Sequence, residues 1–319
     1  MTKKLVGQSA RDRGIMLLMA APRHNSAEDP LEGVRNSVIC GDALKILSRF
    51  PSNTVDAVVT SPPYFAQRDY SHPDQIGNED TPSAYIETLV GVFRECRRVL
   101  KESGTLWVNL GDKYQSGQLL GMPWRLAFAL QDDGWLLRSD VIWFKPNAMP
   151  SSVKNRFTTD HEYLFFLVKN TDYYFDTDAV REPHVTFSEN SKMKGGRNHF
   201  GKRGGTPEQG KNGGNPNLHT ARWDQAFHPK GRNKRTVWEI PLSKCPDAHF
   251  AVFPEKLIEP CILAGSPVNG LVLDPFLGSG TTALTALRLG RDFIGIDCNE
   301  HFCKMARRRI AEHSVGLPF

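Results

Sequence analysis

Two short apolar runs that stop abruptly constrain the fold of this 319-residue chain more than any other feature. Val55 to Thr60 is nearly continuous and rich in β-branched residues, the pattern of a strand buried on both faces. It ends at Ser61-Pro62-Pro63, where proline withholds a ladder donor and fixes φ, so no central strand can continue. More than two hundred residues later, 271–273 reaches Asp274 and stops at Pro275-Phe276-Leu277-Gly278-Ser279-Gly280. A strand buried on both faces needs a layer above and a layer below it. Alternating strand and helix patterns elsewhere in the chain supply those layers, and they predict a doubly wound, parallel α/β sheet.

Further strands are predicted over 37–40, 105–110, 139–145, 161–168, 236–240 and 293–296, with helices over 43–50, 83–100, 123–131, 254–264, 281–289 and 300–313. Residues 1–35 have little periodicity and read as an N-terminal arm. Residues 183–235 also lack a period and divide the remainder into a first half, 36–182, and a second, 236–319. From Glu182 to Arg235 the chain carries eleven Lys/Arg against four Asp/Glu, with nine glycines, and so this stretch holds the whole of the +5 net charge. Such a segment is either a phosphate-binding surface or a solvated linker.

Composition excludes several classes. With 39% apolar and 24% charged residues and no apolar run of membrane-spanning length, the chain reads as a globular protein. The basic N-terminus is followed by too short an apolar stretch for a secretory signal, which points to a cytoplasmic location. The six cysteines (Cys40, Cys96, Cys245, Cys261, Cys298, Cys303) form no CxxC pair and no grouping with histidine, so reduced thiols and no metal site are expected.

The segment from Asp274 to Thr282 lies between a strand and a helix. Gly278 and Gly280 permit a tight turn and close approach to a ligand, and the helix beginning near Thr281 offers free N–H groups to an anion. Asp297, ending the next strand, is placed to bind ribose hydroxyls. The loop alone fits two cofactor classes, because Gly278-x-Gly280-x-x-Ala283 with Asp297 also matches a dinucleotide fingerprint. No lysine follows the glycines, so it is not a P-loop.

Thr60-Ser61-Pro62-Pro63-Tyr64 suits a planar base bearing an exocyclic amine. The lone pair of such an amine is delocalised into the ring, and two fixed acceptors near its N–H groups draw it toward tetrahedral geometry. The Ser61 hydroxyl and the Pro62 carbonyl are the two acceptors, Pro62 and Pro63 make the turn rigid, and Tyr64 can stack on the base. The plainer reading is a Pro-Pro turn with Tyr64 packed on the sheet edge.

Over residues 36–313 the chain resembles the β-group of DNA amino-methyltransferases, in which the catalytic motif precedes the cofactor motif. Four further segments match in place: Cys40-Gly41-Asp42, Val141 to Asn147, His161 to Phe166, and His249 to Leu257. The resemblance implies a Rossmann-like S-adenosylmethionine-dependent methyltransferase sheet in circularly permuted order, with residues 183–235 as an inserted target-recognition region. It implies S-adenosyl-L-methionine as cofactor, held by Asp42, Phe253, Asp274, Phe276, Gly278, Gly280, Thr281 and Asp297. Double-stranded DNA is the implied substrate, its target base flipped into the Ser61–Tyr64 pocket. Lys145, Lys192, Lys194, Arg197, Arg222, Arg232 and Lys234 are expected to bind DNA, those within 183–235 mostly at phosphates, and Asn198, Arg222 and Gln225 have the chemistry to read base edges. Serine before Pro-Pro favours cytosine N4 over adenine N6, and a cognate restriction endonuclease is a candidate partner.

Two other functions compete. An NAD-dependent oxidoreductase accounts for the glycine loop but not for the Ser61–Tyr64 segment or the basic stretch. An inactive nucleic-acid-binding relative need not keep Ser61, Tyr64, Gly278, Gly280 and Asp297. Pro260-Cys261 lies within an apolar helix and reads as structural. His161 and His249 read as locally bonded, and Trp107, Trp135 and Trp238 as core; Trp143, preceding Lys145-Pro146-Asn147, is the best candidate for a base contact.

Overall fold

A computed structural model describes residues 30–67, 75–183, 230–242 and 253–315. Among them the chain forms strands β1 (Ser37–Cys40), β2 (Val55–Thr60), β3 (Leu100–Leu110), β4 (Tyr114–Gln115), β5 (Gln118–Leu119), β6 (Leu136–Phe144), β7 (His161–Val168), β8 (Val237–Glu239), β9 (Leu271–Asp274) and β10 (Asp292–Asp297). The helices are α1 (Ala43–Leu47), α2 (Pro82–Val99), α3 (Met122–Asp132), α4 (Glu255–Gly265), α5 (Thr281–Arg288) and α6 (Glu300–Val315). Eight strands make one sheet in the order β1-β10-β9-β2-β3-β7-β6-β8, and β4 and β5 form a separate hairpin.

The sheet is mixed, which corrects the expectation of an all-parallel one. β1, β10, β9, β2 and β3 run parallel, but β7 is antiparallel to both β3 and β6. The reason lies in the connections. A parallel return needs a crossover, usually helical, and α3 supplies one between β3 and β6. The 145–160 segment between β6 and β7 contains no helix, so β7 returns beside β6 in the opposite sense.

Both faces of the sheet are covered. Leu47 of α1, Tyr85, Leu89 and Phe93 of α2, and Leu126 and Leu130 of α3 pack with Val58, Leu106 and Ile294 on one face. Leu257 and Cys261 of α4, Ala283 of α5, and Cys303 and Ala306 of α6 pack with Val59, Trp107 and Phe293 on the other. Neighbouring strand residues thus go to opposite cores, the period of two that makes a run such as 57–59 wholly apolar.

Local signals set the helix starts. The Asp42 carboxylate accepts from the Lys45 N–H at 2.8 Å to cap α1, and Thr81 caps α2 with Pro82 in its first turn. α2 ends at Val99, within one residue of the expected end at 100, because Leu100 is buried and already extended as the first residue of β3. The β4–β5 hairpin turns on Ser116 and Gly117, both at positive φ, a pairing suited to a two-residue hairpin.

Residues 30–35 are folded onto the sheet. Leu31 is buried, and the Arg35 guanidinium pairs with Asp292 at 2.9 Å. Glu182 and Arg232 exchange two backbone hydrogen bonds of 2.9 and 2.8 Å, so the chain leaves and re-enters the described structure at one point. Residues 1–29, Lys192, Lys194, Arg197, Asn198, Arg222, Gln225, Cys245 and His249 lie outside the described residues. No helix among the described residues is long and apolar enough to cross a membrane.

Candidate active site

The carboxyl ends of β1, β2, β3, β6, β9 and β10, with the amino end of antiparallel β7, open at one edge of the sheet. That edge is where open α/β sheets bind ligands. A cavity of about 560 Å³ lies there, and both sequence motifs line it: Ser61, Pro62, Pro63 and Tyr64 on one side, Phe276, Gly278, Ser279, Thr281 and Asp297 on the other.

One buried carboxylate joins the two motifs. Thr60 and Thr282 each donate a hydroxyl to Asp274, at 2.6 Å on opposite oxygens, and the Phe276 N–H donates to it at 3.0 Å. Thr60 and Asp274 are 214 residues apart in sequence but are the last residues of the paired strands β2 and β9. Burial pushes the Asp274 carboxyl up to about 6 despite these three donors. Asp274 does not line the cavity; its carboxylate is turned inward and holds the loop that does.

The glycine loop is fixed from several directions. The Leu277 N–H donates to the Ile296 carbonyl, and the Gly278 and Asn299 N–H groups each donate to the Asp297 carboxylate at 2.8 Å. Arg309 reaches from α6 to the Ser279 carbonyl and hydroxyl at 2.7 and 2.8 Å. Gly278 has a φ of +55° and faces open space where a Cβ would stand, so its backbone is free for ligand approach. Gly280, at φ +90°, serves packing instead: a Cβ there would lie 3.0 Å from that of Ala306, and Gly280 does not line the cavity. Asp42, Cys298, Asn299, Phe302 and Phe253 complete this half of the lining. An acid at a strand end, two aromatic faces and an uncovered glycine backbone fit an adenosine-bearing cofactor.

The other half is built around Glu162. Its carboxylate accepts from the Tyr64 hydroxyl at 2.7 Å, from Asn109 Nδ2 at 2.8 Å, and from the Lys145 ammonium, which also lies over the Trp143 ring. Burial, and then the adjacent Glu162 carboxylate, hold the Tyr64 hydroxyl well above its ordinary range, so it remains a donor. The ring fits because residue 111 is glycine; a Cβ there would stand 2.8 Å from Tyr64 Cε2. The Tyr85 hydroxyl donates to the Pro63 carbonyl at 2.7 Å, while the Pro62 carbonyl accepts no hydrogen bond among the described residues.

Not every expected residue is where the sequence suggested. Lys145, expected to bind DNA, lines the cavity, where its side chain is largely buried and paired with Glu162. Arg232 and Lys234 both pair with Glu182, away from the cavity. Cys261 is buried in α4 and burial raises its thiol, in keeping with a structural residue. Trp107 stacks on Phe166, Trp135 and Trp238 are buried, and Trp143 lines the cavity. His161 lies beside Asp160 and edge-on to Tyr163, as a locally bonded residue. Asn109, Gly111, Glu162 and Arg309 are not singled out by sequence reasoning. The polar Asn109 and Glu162 inside the otherwise apolar runs of β3 and β7 are the available signal, since buried polar groups need partners.

Comparison with known proteins decides the family: the DNA methylase family N6_N4_Mtase matches residues 55–308. The chain belongs to this DNA methylase family. Among its relatives, the Type II methyltransferase M.Cfr9I of Citrobacter freundii is 40% identical over 318 residues, covering 91% of this chain and 92% of that protein. The Type II methyltransferase M.SmaI of Serratia marcescens is 39% identical over 302 residues, covering 86% and 90%. Among solved structures, PvuII DNA methyltransferase (cytosine-N4-specific) shares the fold with a TM-score of 0.63 at 22% identity, over 86% of this methylase and 85% of that chain. A Thermus thermophilus protein solved with S-adenosyl-L-methionine matches with a TM-score of 0.57 at 26% identity, over 88% and 97%.

Proposed function

We propose that this DNA methylase transfers a methyl group to the exocyclic N4 amine of cytosine in double-stranded DNA, as the modification enzyme of a Type II system. The observation that carries the reading is one cavity lined by both motifs, with Ser61 and the Pro62 carbonyl on one side and Gly278 and Asp297 on the other. S-adenosylmethionine, when bound, supplies an electrophilic methyl on a sulfonium centre. Phe276, Gly278, Thr281 and Asp297 would hold it, with Asp42 and Phe253 at the margins of the same lining. The catalytic motif precedes the cofactor loop in the chain, the order of the permuted β-group.

The chain's own chemistry centres on the amine. Ser61 Oγ and the Pro62 carbonyl are its two acceptors, and by pulling on the N–H groups they restore lone-pair density at nitrogen. The proline pair fixes the backbone that carries both acceptors. Tyr64 offers its ring to the base, fixed at its hydroxyl by Glu162 and Asn109. As a hydroxyl held protonated it takes no proton from the amine; the amine becomes cationic and acidic on methylation and releases its proton to water past Ser61 Oγ and the Pro62 carbonyl. Asp274 ties β2 to β9 and so fixes the distance between the two halves.

Serine at position 61, where aspartate more often accompanies adenine N6 chemistry in this family, supports cytosine. Incubation of unmodified DNA with the chain and S-adenosylmethionine, digestion to nucleosides and mass spectrometry test it. N4-methylcytosine is the expected product; N6-methyladenine would transfer the same machinery to the other base, and 5-methylcytosine would remove the amine mechanism altogether.

A further inference from the structure

The 145–160 connection between β6 and β7 starts and ends in the cavity, since Lys145 and Glu162 both line it. Its base is closed by the Lys145 N–H donating to the Asp160 carbonyl at 2.8 Å. Between those ends it points apolar side chains into water: Phe157 is 97% exposed and Met149 82% exposed, the two most exposed large apolar residues described. Single exposed apolar residues are ordinary on protein surfaces. An almost bare phenylalanine on a loop anchored at both ends in the cavity is a different case, because no other described aromatic residue approaches its exposure, the next being Phe128 at 57%.

Three observations give the loop a partner. Between residues 146 and 159 it contains Lys154 and Arg156, both exposed, and no acidic residue, so its field suits a phosphate backbone. The Arg156 guanidinium lies 3.2 Å from the centroid of the Tyr114 ring on the β4–β5 hairpin, which holds the residue next to Phe157 in a fixed position. Pro146 and Pro150 restrict the backbone further. The loop is therefore a braced, basic projection with an aromatic tip, beside a pocket that must receive an extruded base.

We infer that this loop is a DNA-insertion element, in which Phe157 enters the base stack as the target base leaves it, with Lys154 and Arg156 against the flanking phosphates. This rests on the DNA-methylation reading above. Extruding a base costs the duplex its stacking and pairing, and an apolar side chain occupying the vacated step offsets part of that loss. A side chain used this way must be exposed in the free protein.

The test is Phe157→Ala, with Phe157→Trp as the conservative partner, on duplexes carrying the site first mapped by modification sequencing. Single-turnover methylation is measured on the normal duplex and on one in which the target base faces an abasic site. The inference predicts a roughly tenfold or larger loss for Phe157→Ala on the normal duplex, a much smaller loss on the abasic duplex, near wild-type rates for Phe157→Trp, and unchanged S-adenosylmethionine affinity. Equal losses on the two duplexes, or none on the normal one, overturn it. A changed subunit assembly in Phe157→Ala with an unaltered duplex rate also overturns it, assigning the residue to self-association. A wild-type chain inactive on both duplexes overturns the methylation reading and the insertion element together.

Discussion

At the scale of single residues, the two most informative carboxylates have opposite duties. Glu162 serves the pocket, where it orders Tyr64, Asn109 and Lys145. Asp274 serves the frame, and its burial has a measurable signature. Its ordinary value is 3.8, and burial raises it to about 6 in the fold. The folded state therefore holds this proton more tightly than the unfolded chain, and the neutral form's stability is fully present below 3.8 and lost as pH rises through 6. Relative to wild type, Asp274→Asn should gain about 2 kcal/mol of stability between pH ~4 and pH ~7, whatever the offset from altered hydrogen bonding. Denaturant titrations of both proteins across that range check it; a difference that stays flat, or falls with pH, would contradict the assignment. Sequence reasoning makes Asp274 a cofactor contact. Its place at a strand end next to a glycine loop is legible there, but its inward direction is not, because that depends on Thr60 arriving from 214 residues away.

At the scale of elements, the strand–loop–helix unit from β9 to α5 shows how much a local pattern can reveal. Val272 and Leu273 are wholly apolar because they face two cores, and the glycines mark where the strand gives way to a turn and then to α5. The two glycines nevertheless differ in kind: Gly278 faces open space, and Gly280 lies against Ala306 of α6. A helix in the last part of the chain decides that difference, so no window on the loop contains it. Gly278→Val should retain the fold, with a local strain cost of about 1–3 kcal/mol from its positive φ, yet lose detectable S-adenosylmethionine binding by calorimetry, since the side chain occupies the open cradle. Binding at wild-type strength in a folded Gly278→Val protein would move the cofactor elsewhere. The sense of β7 is also beyond a local reading. Its residues are as apolar as those of a parallel strand, and only the helix-free 145–160 connection forces it to run antiparallel.

At the scale of the whole molecule, the sheet brings two distant motifs to one edge, and the basic 183–235 segment joins it at the Glu182–Arg232 bridge. The order of elements along the chain is legible in the sequence because each strand and helix carries its own period. The Glu162 network is not, because its members come from β3, β7 and the segments that follow β2 and β6, and they meet only when the sheet is assembled. On the proposed reading, the Ser61 half and the Gly278 half are one reaction chamber with separable tasks. Single-turnover methyl transfer to DNA by Ser61→Ala, with cofactor affinity measured in parallel, tests this division of labour most directly. Loss of one fixed acceptor should lower the transfer rate on the order of a hundredfold or more while S-adenosylmethionine binds as in wild type. Transfer at the wild-type rate in Ser61→Ala would contradict it.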